Sequence, residues 1–180
     1  MVSKKYANDY RLENQLTERG TLKTVPVYIG KMYEFSTDSE NLKRAKIQLA
    51  VFTFFAFACI FSGFMFNSDI GRTVYVAVPY AFVFLPIGFQ LVVAVEVFVI
   101  KTPCTREKSE RIYDRIAKCS FGGIFLSAIA IVGSIVKLIL NYNLAVKMCN
   151  IIYLILLCLF LLCEIYVFIA KKQFKMTEIK

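Results

Sequence analysis

The apolar run from Thr73 to Ile100 constrains this chain more than any other sequence feature. It holds about 28 residues, which as an α-helix rising about 1.5 Å per residue would be about 42 Å long. The hydrocarbon core of a bilayer is about 30 Å thick, so a helix of this length has to tilt, bend or project. Pro86 supplies a place to bend, because proline removes one backbone hydrogen bond and crowds the preceding turn. The run therefore predicts a transmembrane helix.

Three further blocks share this apolar character. Hydrophobic residues make up 58% of the chain and the mean hydropathy is +0.59, so the apolar content is well above that of a typical soluble domain. The predicted fold class is an all-α membrane protein, a four-helix transmembrane bundle with a short cytoplasmic N-terminal β-hairpin. Residues 1–44 form the N-terminal segment, residues 45–170 the transmembrane domain and residues 171–180 a tail. The predicted spans are residues 45–66, 73–100, 119–140 and 148–170.

The basic residues are unevenly distributed along the chain, whose net charge is +9. Of the 22 Lys and Arg residues, nine occur up to Lys46, six lie between the second and third spans, and four lie in the tail. Of the remaining three, one lies in the first predicted external turn and two lie in or beside the second. Cytoplasmic loops carry an excess of Lys and Arg, so both termini are predicted to be cytoplasmic. The partner that this distribution indicates is the lipid bilayer and not nucleic acid, and the membrane is the plasma membrane if the chain is bacterial.

No pattern in the sequence predicts catalysis. The chain has six cysteines without Cys-x-x-Cys spacing and contains no histidine. Zinc sites and nucleophile–base pairs are recognised by such residues in recurring arrangements. We therefore predict no catalytic residue, no metal site and no cofactor, and we expect that the protein is not an enzyme.

The N-terminal segment predicts a β-hairpin. Strand-forming residues between Asp9 and Phe35 lie on both sides of turn-forming residues 18–20, and Pro26 indicates that the second strand is an edge strand. A lone hairpin is marginally stable in water. It therefore needs a surface to lie on, which is either the ends of the helices or a partner protein.

Two helices are predicted to begin outside the apolar blocks. Thr37 and Glu40 fit a capping box, which places the start of the first helix immediately after Thr37. Residues 105–118 are read as a cytoplasmic extension of the third span, because they carry opposite charges four residues apart. The predicted ion pairs are Glu107 with Arg111 and Asp114 with Lys118.

The third span carries the clearest helix-packing signal. Four small residues recur there at steps of four, three and four. Small residues gain nothing against lipid, but they allow a neighbouring helix backbone to approach closely. This stripe is therefore predicted to face the bundle, and it consists of Gly123, Ser127, Ala130 and Ser134.

Two glutamates lie inside the predicted spans at matching depth. Glu96 is five residues from Lys101 and Glu164 is seven residues from Lys171, so both lie about 7 to 10 Å inside the cytoplasmic boundary. One hypothesis is a cation- or proton-binding site formed by Glu96, Glu164 and Gln90, with Gln48 and Pro86 beside it. The other is that each glutamate pairs with Lys46, Lys101 or Lys118, or is protonated, and only fixes the packing of the helices.

Two classes of function agree with these observations. The first is a non-catalytic accessory or regulatory subunit of a membrane complex, which contacts a membrane-protein partner through its N-terminal segment and middle loop. The second is a small transporter or channel component that works as a homo-oligomer, since four spans enclose little volume. The accessory subunit would bind a different protein, whereas the transporter or channel component would bind other copies of this chain.

Overall fold

The four long apolar helices predicted from the sequence are confirmed. The computed structural model describes residues 4–16, 22–66, 68–100, 102–141 and 148–179 and is mostly helical. Each of four helices is long and apolar enough to cross a membrane. The second remains helical through both of its prolines. These helices are α1 (Ser39–Met65), α2 (Val74–Val99), α3 (Arg106–Leu140) and α4 (Met148–Ala170).

A three-stranded sheet, which the sequence did not predict, joins three distant parts of the chain. Its central strand pairs antiparallel with a two-residue strand before α3 and with a three-residue strand after α4. The sheet therefore brings the N-terminal segment, the α2–α3 loop and the C-terminal residues to one end of the bundle, the sheet end. The opposite end is the far end. The strands are β3 (Met32–Phe35), β4 (Cys104–Thr105) and β5 (Met176–Glu178).

The helices pack as a closed ring in sequence order. α1 packs on α2, α2 on α3 and α3 on α4, and α4 returns to α1. Buried side chains form one apolar cluster in the middle and far part of the bundle and a second at the sheet end. The second cluster includes Phe35 and Phe174, which lie outside the four helices. The sheet-end segments are therefore part of the core.

The outer faces of the helices are apolar as well. Each helix contains an apolar stretch of 18 residues, and at most 33% of that stretch is buried inside the bundle. Phenylalanines that are 58–66% exposed lie on the remaining surface. A helix bundle in water places polar residues on such faces, so this pattern is typical of helices surrounded by lipid. Examples are Phe54, Phe64, Phe89, Phe121 and Phe125.

The predicted hairpin is present. Strand β1 (Tyr10–Leu16) pairs antiparallel with β2 (Leu22–Tyr28). Leu12 is 71% exposed and Leu22 is 72% exposed, so the body of the hairpin projects away from the core. The turn predicted at residues 18–20 lies outside the described residues.

The base of the hairpin lies on the first turns of α3. The Tyr10 hydroxyl donates a hydrogen bond to Glu107 Oε2 at 3.2 Å. The backbone N–H of Arg106 donates to the Tyr28 hydroxyl oxygen at 3.1 Å. The first N–H groups of a helix have no partner within the helix, so this phenol satisfies one of them. The helix ends therefore supply the surface that the base of the hairpin needs.

Glu110 fastens the preceding 3-10 helix, Lys4–Asp9, to α3. It accepts hydrogen bonds from Lys5, from the Tyr6 hydroxyl at 3.0 Å and from Arg106 Nε at 2.8 Å. The Lys5 ammonium and then the Arg106 guanidinium lower the pKa of Glu110 to about 2. Because the pKa is depressed on folding, the stabilisation is present above about pH 4.5 and is lost as the pH falls toward about 2. This stabilisation is small, because Lys5 and Arg106 are exposed and solvent screens their attraction to the carboxylate.

We expect Glu110→Gln to loosen this contact at neutral pH, because it removes the charge that acid would neutralise. Amide hydrogen exchange of residues 4–16 should then become faster than in the unsubstituted protein. Asp114→Asn is the control, since Asp114 pairs with Lys118 one turn further along α3 at 3.7 Å. Equal exchange rates in the Glu110→Gln and unsubstituted proteins would contradict the role of this contact.

The ion pairs predicted on the α3 extension are confirmed. Arg111 lies 2.6 Å from Glu107, and Lys118 lies 3.7 Å from Asp114, measured between nitrogen and oxygen. These pairs follow from helical spacing alone, because side chains four residues apart lie on the same face of a helix.

The predicted cap of α1 was wrong. The helix begins at Ser39 after Asp38, and no side chain caps it. The Thr37 hydroxyl instead donates to the Gln173 carbonyl at 2.8 Å, and the Ser36 hydroxyl donates to the Lys175 carbonyl at 2.9 Å. A tertiary contact to the C-terminal residues has replaced the local hydrogen bond that the capping box requires.

The residues predicted to form a simple tail are integrated into the fold. They form a 3-10 helix, Lys171–Phe174, followed by β5. The Phe174 side chain is fully buried in the apolar cluster of the sheet end. The run of lysines that marks the end of α4 in the sequence therefore does not mark the end of the packed structure.

Candidate functional site

A group of buried polar side chains lies inside the bundle, and each helix contributes one member. All four are at most 1% exposed. Buried polar groups are costly unless they are hydrogen-bonded, so a set drawn from all four helices is a strong constraint on packing. We call this group the polar cluster, and it consists of Thr53, Gln90, Ser120 and Glu164.

Gln90 joins α1 to α4 through its side-chain amide. With the amide nitrogen facing α4, this nitrogen donates to Glu164 Oε1 at 3.2 Å and to Oε2 at 3.0 Å. The amide oxygen then faces the hydroxyl of Thr53, with 3.4 Å between the heavy atoms. The three side chains therefore form a continuous polar path from α4 through α2 to α1.

The third helix approaches the Glu164 carboxyl through a glycine. A Cβ atom added at Gly123 would lie 3.1 Å from Cδ and 3.2 Å from Oε2 of Glu164. One turn earlier, the Ser120 hydroxyl faces the same carboxyl. Gly123 thus provides the space in which the buried carboxyl is held.

Ser120 differs from the other buried serines of α3. The Ser127 hydroxyl donates to the Ile124 carbonyl at 3.1 Å, and the Ser134 hydroxyl donates to the Ala130 carbonyl at 2.7 Å. Hydroxyls in helices are commonly satisfied in this local way. Ser120 Oγ is buried and makes no such bond to its own helix. Its hydroxyl is therefore available to hydrogen-bond within the polar cluster.

The four residues of the predicted packing stripe are all buried. Gly123, Ser127, Ala130 and Ser134 lie on the inward face of α3, and Ser120 continues the same stripe toward the sheet end. A second close approach follows from Gly133, where an added Cβ would lie 3.1 Å from Val76 Cγ2. Small residues thus bring α3 close to its neighbours at two levels.

Glu96 lies apart from the polar cluster. Its Oε2 accepts a hydrogen bond from Arg115 Nη1 of α3 at 3.2 Å, and its side chain is 30% exposed. Glu164 is fully buried and contacts Gln90 instead. The structure therefore gives the two glutamates different partners and different environments, although the sequence places them at similar depth. The partner of Glu96 is an arginine that sequence reasoning did not single out.

The other residues considered for the predicted ion site also lie elsewhere. Gln48 is exposed. Pro86 contacts α3, since a Cβ atom added at Gly122 would lie 3.6 Å from Pro86 Cβ. Of the side chains proposed for that site, the structure brings together Gln90 and Glu164.

Three cavities lie away from the polar cluster. One of about 790 Å³ lies beside Glu96 and Arg115 at the sheet end, and one of about 570 Å³ lies at the far end beside Tyr80 and Tyr153. The third, of about 260 Å³, lies beside Tyr6 on the α3 extension. None of these three is lined by Glu164 or Gln90. The polar cluster is therefore not part of any of these three cavities.

Thr53 and Ser120 were missed by sequence reasoning, although a signal for them was present. Buried residues of α1 recur three or four positions apart from Ala45 to Gly63, and Thr53 falls on that stripe. Ser120 lies three residues before Gly123 and extends the small-residue stripe of α3. Extending the stripe of α3 by one step places Ser120 inside the bundle, and the same helical spacing applied to α1 places Thr53 there.

Within the described ranges, no group of three or more His, Cys, Asp or Glu side chains is arranged to hold a metal ion. Comparison of the chain with protein-family models, with curated proteins and with solved structures finds no match.

Proposed function

We propose that this chain is a multi-pass integral membrane protein that acts as a non-catalytic accessory or regulatory subunit of a membrane complex. Its termini and sheet end lie in the cytoplasm in this proposal. Two observations support the proposal that the protein spans a membrane in this orientation. The outer faces of all four helices are apolar. Basic residues are concentrated in the segments at the sheet end, whereas the far end holds Arg72 and Lys137 among the residues described.

The observation that carries the accessory function is the exposed apolar face of the hairpin. Opposite residues of an antiparallel pair lie on the same face, and Leu12 is opposite Pro26, which shares its face with Leu22 four residues earlier. Leu12, Leu22 and Pro26 are therefore exposed on one face, where the exposed pair of Asn14 and Thr24 lies between them. We call this the hairpin face. Apolar surface of this kind on a polar segment is typical of a protein-binding site.

The position of the hairpin face favours a protein partner over the helices of this chain. Tyr10 and Tyr28 lie on the same face of the sheet at its base, where their hydroxyls contact α3. Beyond these tyrosines the strands leave the helices. The base thus fixes the direction of the hairpin, and the leucines are held where a second protein can bind them.

The transporter or channel alternative has less support from the geometry. Such a protein needs a polar path or a hydrated cavity through the bundle or between its copies. The polar cluster runs across the bundle from α4 to α1, and the three cavities described above lie at the ends and edge of the bundle. A homo-oligomer remains the outcome that would favour this alternative.

The test is purification of the tagged full-length protein from its own membrane in a mild detergent, followed by identification of what accompanies it. We expect a second protein in stoichiometric amount. Replacing both leucines, Leu12→Ser with Leu22→Ser, removes apolar surface that the second protein would bury. The binding free energy should fall by about 3 kcal/mol or more, which is more than a hundredfold in affinity. The matched control is Arg11→Ser with Glu13→Ser, because these exposed residues lie on the opposite face of the same strand.

Two results would count against the accessory function. One is a homo-oligomer with no second protein, which would instead favour transport. The other is a second protein whose yield is the same with and without the leucines, because the partner would then bind elsewhere.

A further inference from the structure

Glu164 has no cationic partner among the residues that the structure describes. Other glutamates do, including Glu96 with Arg115 and Glu110 with Lys5. An uncompensated carboxylate away from water is costly, and ionisable groups inside apolar helices are generally paired or functional. The state of this carboxyl therefore depends on the few polar groups that surround it.

Each neighbouring element presents a neutral group to Glu164. Gln90 faces it from α2, Ser120 faces it from α3, and Thr53 of α1 lies behind Gln90. The titratable groups that act on it electrostatically are the thiols of Cys119 on α3 and Cys163 on α4 itself. Arg115 of α3, which acts electrostatically on Cys119, is already bound by Glu96 at 3.2 Å.

The Gln90 amide fits two protonation states of Glu164, because its nitrogen and oxygen can exchange positions. When the carboxyl is ionised, the amide nitrogen faces it and donates to both oxygens, at 3.2 and 3.0 Å. Thr53 then donates its hydroxyl proton to the amide oxygen. When the carboxyl is protonated, the amide can rotate by half a turn, so that its oxygen accepts the acid proton. Its nitrogen then donates to Thr53 Oγ1 at 3.4 Å.

In both states Gln90 makes one contact to Glu164 and another to Thr53, each with donor and acceptor matched. This is unusual, since an amide beside a permanently charged group has one satisfactory orientation and one that places like atoms together. The hydroxyls of Thr53 and Ser120 complete the adjustment, because a hydroxyl can both donate and accept. Ser120 is fully buried and has no other hydrogen-bond partner. It can therefore donate to the carboxylate or accept from the acid.

We propose that Glu164 is a reversible proton-binding site, and that proton uptake reverses the Gln90 amide and thereby changes the hydrogen bond to Thr53. The ligand is a proton. Its binding neutralises the negative charge of the Glu164 carboxylate, and its release restores that charge. A change at α4 is in this way passed through α2 to α1. The site does not depend on the partner protein proposed above.

The test is infrared difference spectroscopy of the purified full-length protein, titrated between about pH 4 and about pH 10. Protonated carboxyls absorb separately from carboxylates. We expect a carboxyl band that disappears reversibly as the pH rises, that is absent from Glu164→Gln and that persists in Glu96→Gln. The latter is the matched control, because Glu96 is also a glutamate within an apolar helix but is ion-paired and partly exposed.

A second measurement follows the amide itself. The chain has four glutamines, so the side-chain amide signals of protein labelled with ¹⁵N-glutamine can be resolved by NMR and that of Gln90 assigned with Gln90→Leu. The Gln90 signal should shift with the same midpoint as the infrared band, and it should not titrate in Glu164→Gln. Gln90→Leu removes the donor to the carboxylate, so its infrared midpoint should move to higher pH by about one unit or more, a tenfold change in proton affinity.

Two outcomes would overturn the proposal. A Glu164 carboxyl that stays protonated, or stays ionised, across the whole range does not exchange a proton. A titrating carboxyl beside an unchanged Gln90 signal would remove the amide from the mechanism. If Glu164→Gln does not fold, the midpoint of Gln90→Leu still decides, because a band from any other carboxyl would not shift. Neither result bears on whether a partner binds the hairpin face.

Discussion

Replacing Phe174 by alanine is expected to lower the free energy of unfolding by about 3–5 kcal/mol, the usual cost of removing a buried phenylalanine side chain. Phe174 is fully buried and packs in the sheet-end cluster with Phe35, Ile112 and Val167. The loss should also release the carbonyl contacts that Ser36 and Thr37 make to the C-terminal residues. Thermal unfolding in detergent, followed by circular dichroism, measures the effect.

The control is Ile179→Ala in the same terminal segment. Ile179 is 43% exposed, so its truncation should change the unfolding midpoint little. If Phe174→Ala and Ile179→Ala had equal effects, the C-terminal residues would be a tail after all. A selective effect of Phe174→Ala would show that the last residues help to hold the sheet end together.

Gly123→Ala is expected to destabilise the chain by about 1–3 kcal/mol, the typical cost of inserting a methyl group into a packed core. The added Cβ would lie 3.1 Å from Cγ and Cδ of Glu164, which is closer than such contacts normally are. The carboxyl would have to shift, and the two hydrogen bonds from Gln90 would lengthen. The gain in helix propensity from glycine to alanine, about 1 kcal/mol, acts in the opposite direction and offsets part of the loss.

The adjacent residue provides the matched control. A Cβ atom added at Gly122 would meet Pro86 Cβ and Cγ at 3.6 and 3.9 Å, which are ordinary contacts. Gly122→Ala should therefore gain helix propensity without crowding and leave stability equal or higher. Measuring both variants by thermal unfolding in detergent separates the two effects. A Gly123→Ala variant as stable as Gly122→Ala would mean that the carboxyl has room to move.

The two proposals involve opposite kinds of surface. The hairpin face is exposed and apolar, so its binding is decided by how much apolar area a partner covers. The polar cluster is buried, so its state is decided by hydrogen bonds among a few side chains. Because the two lie in different parts of the chain, variants of one are expected to leave the other unaffected.

The sequence alone determined the helical framework. Four apolar blocks, each long enough to cross a bilayer, predict the helices because an apolar environment leaves backbone groups no other way to form hydrogen bonds. Local spacing also predicted the ion pairs of the α3 extension and the hairpin, since both depend on residues close together in the chain. The inward stripe of α3 belongs to the same class, because a helix repeats every 3.6 residues.

Only the tertiary structure decided which polar residues meet. Depth along each helix places Glu96 and Glu164 at the same level, but the rotation of each helix about its axis puts one beside Arg115 and the other beside Gln90. The rotation of α1 and α3 likewise decides that the hydroxyls of Thr53 and Ser120 belong to the polar cluster. The three-stranded sheet joins strands of two to four residues, which are too short for any sequence signal. Its central strand β3 lies about 70 positions from β4 and about 140 positions from β5. The sheet forms because the bundle brings these segments to one end, where each can satisfy the backbone groups of the next.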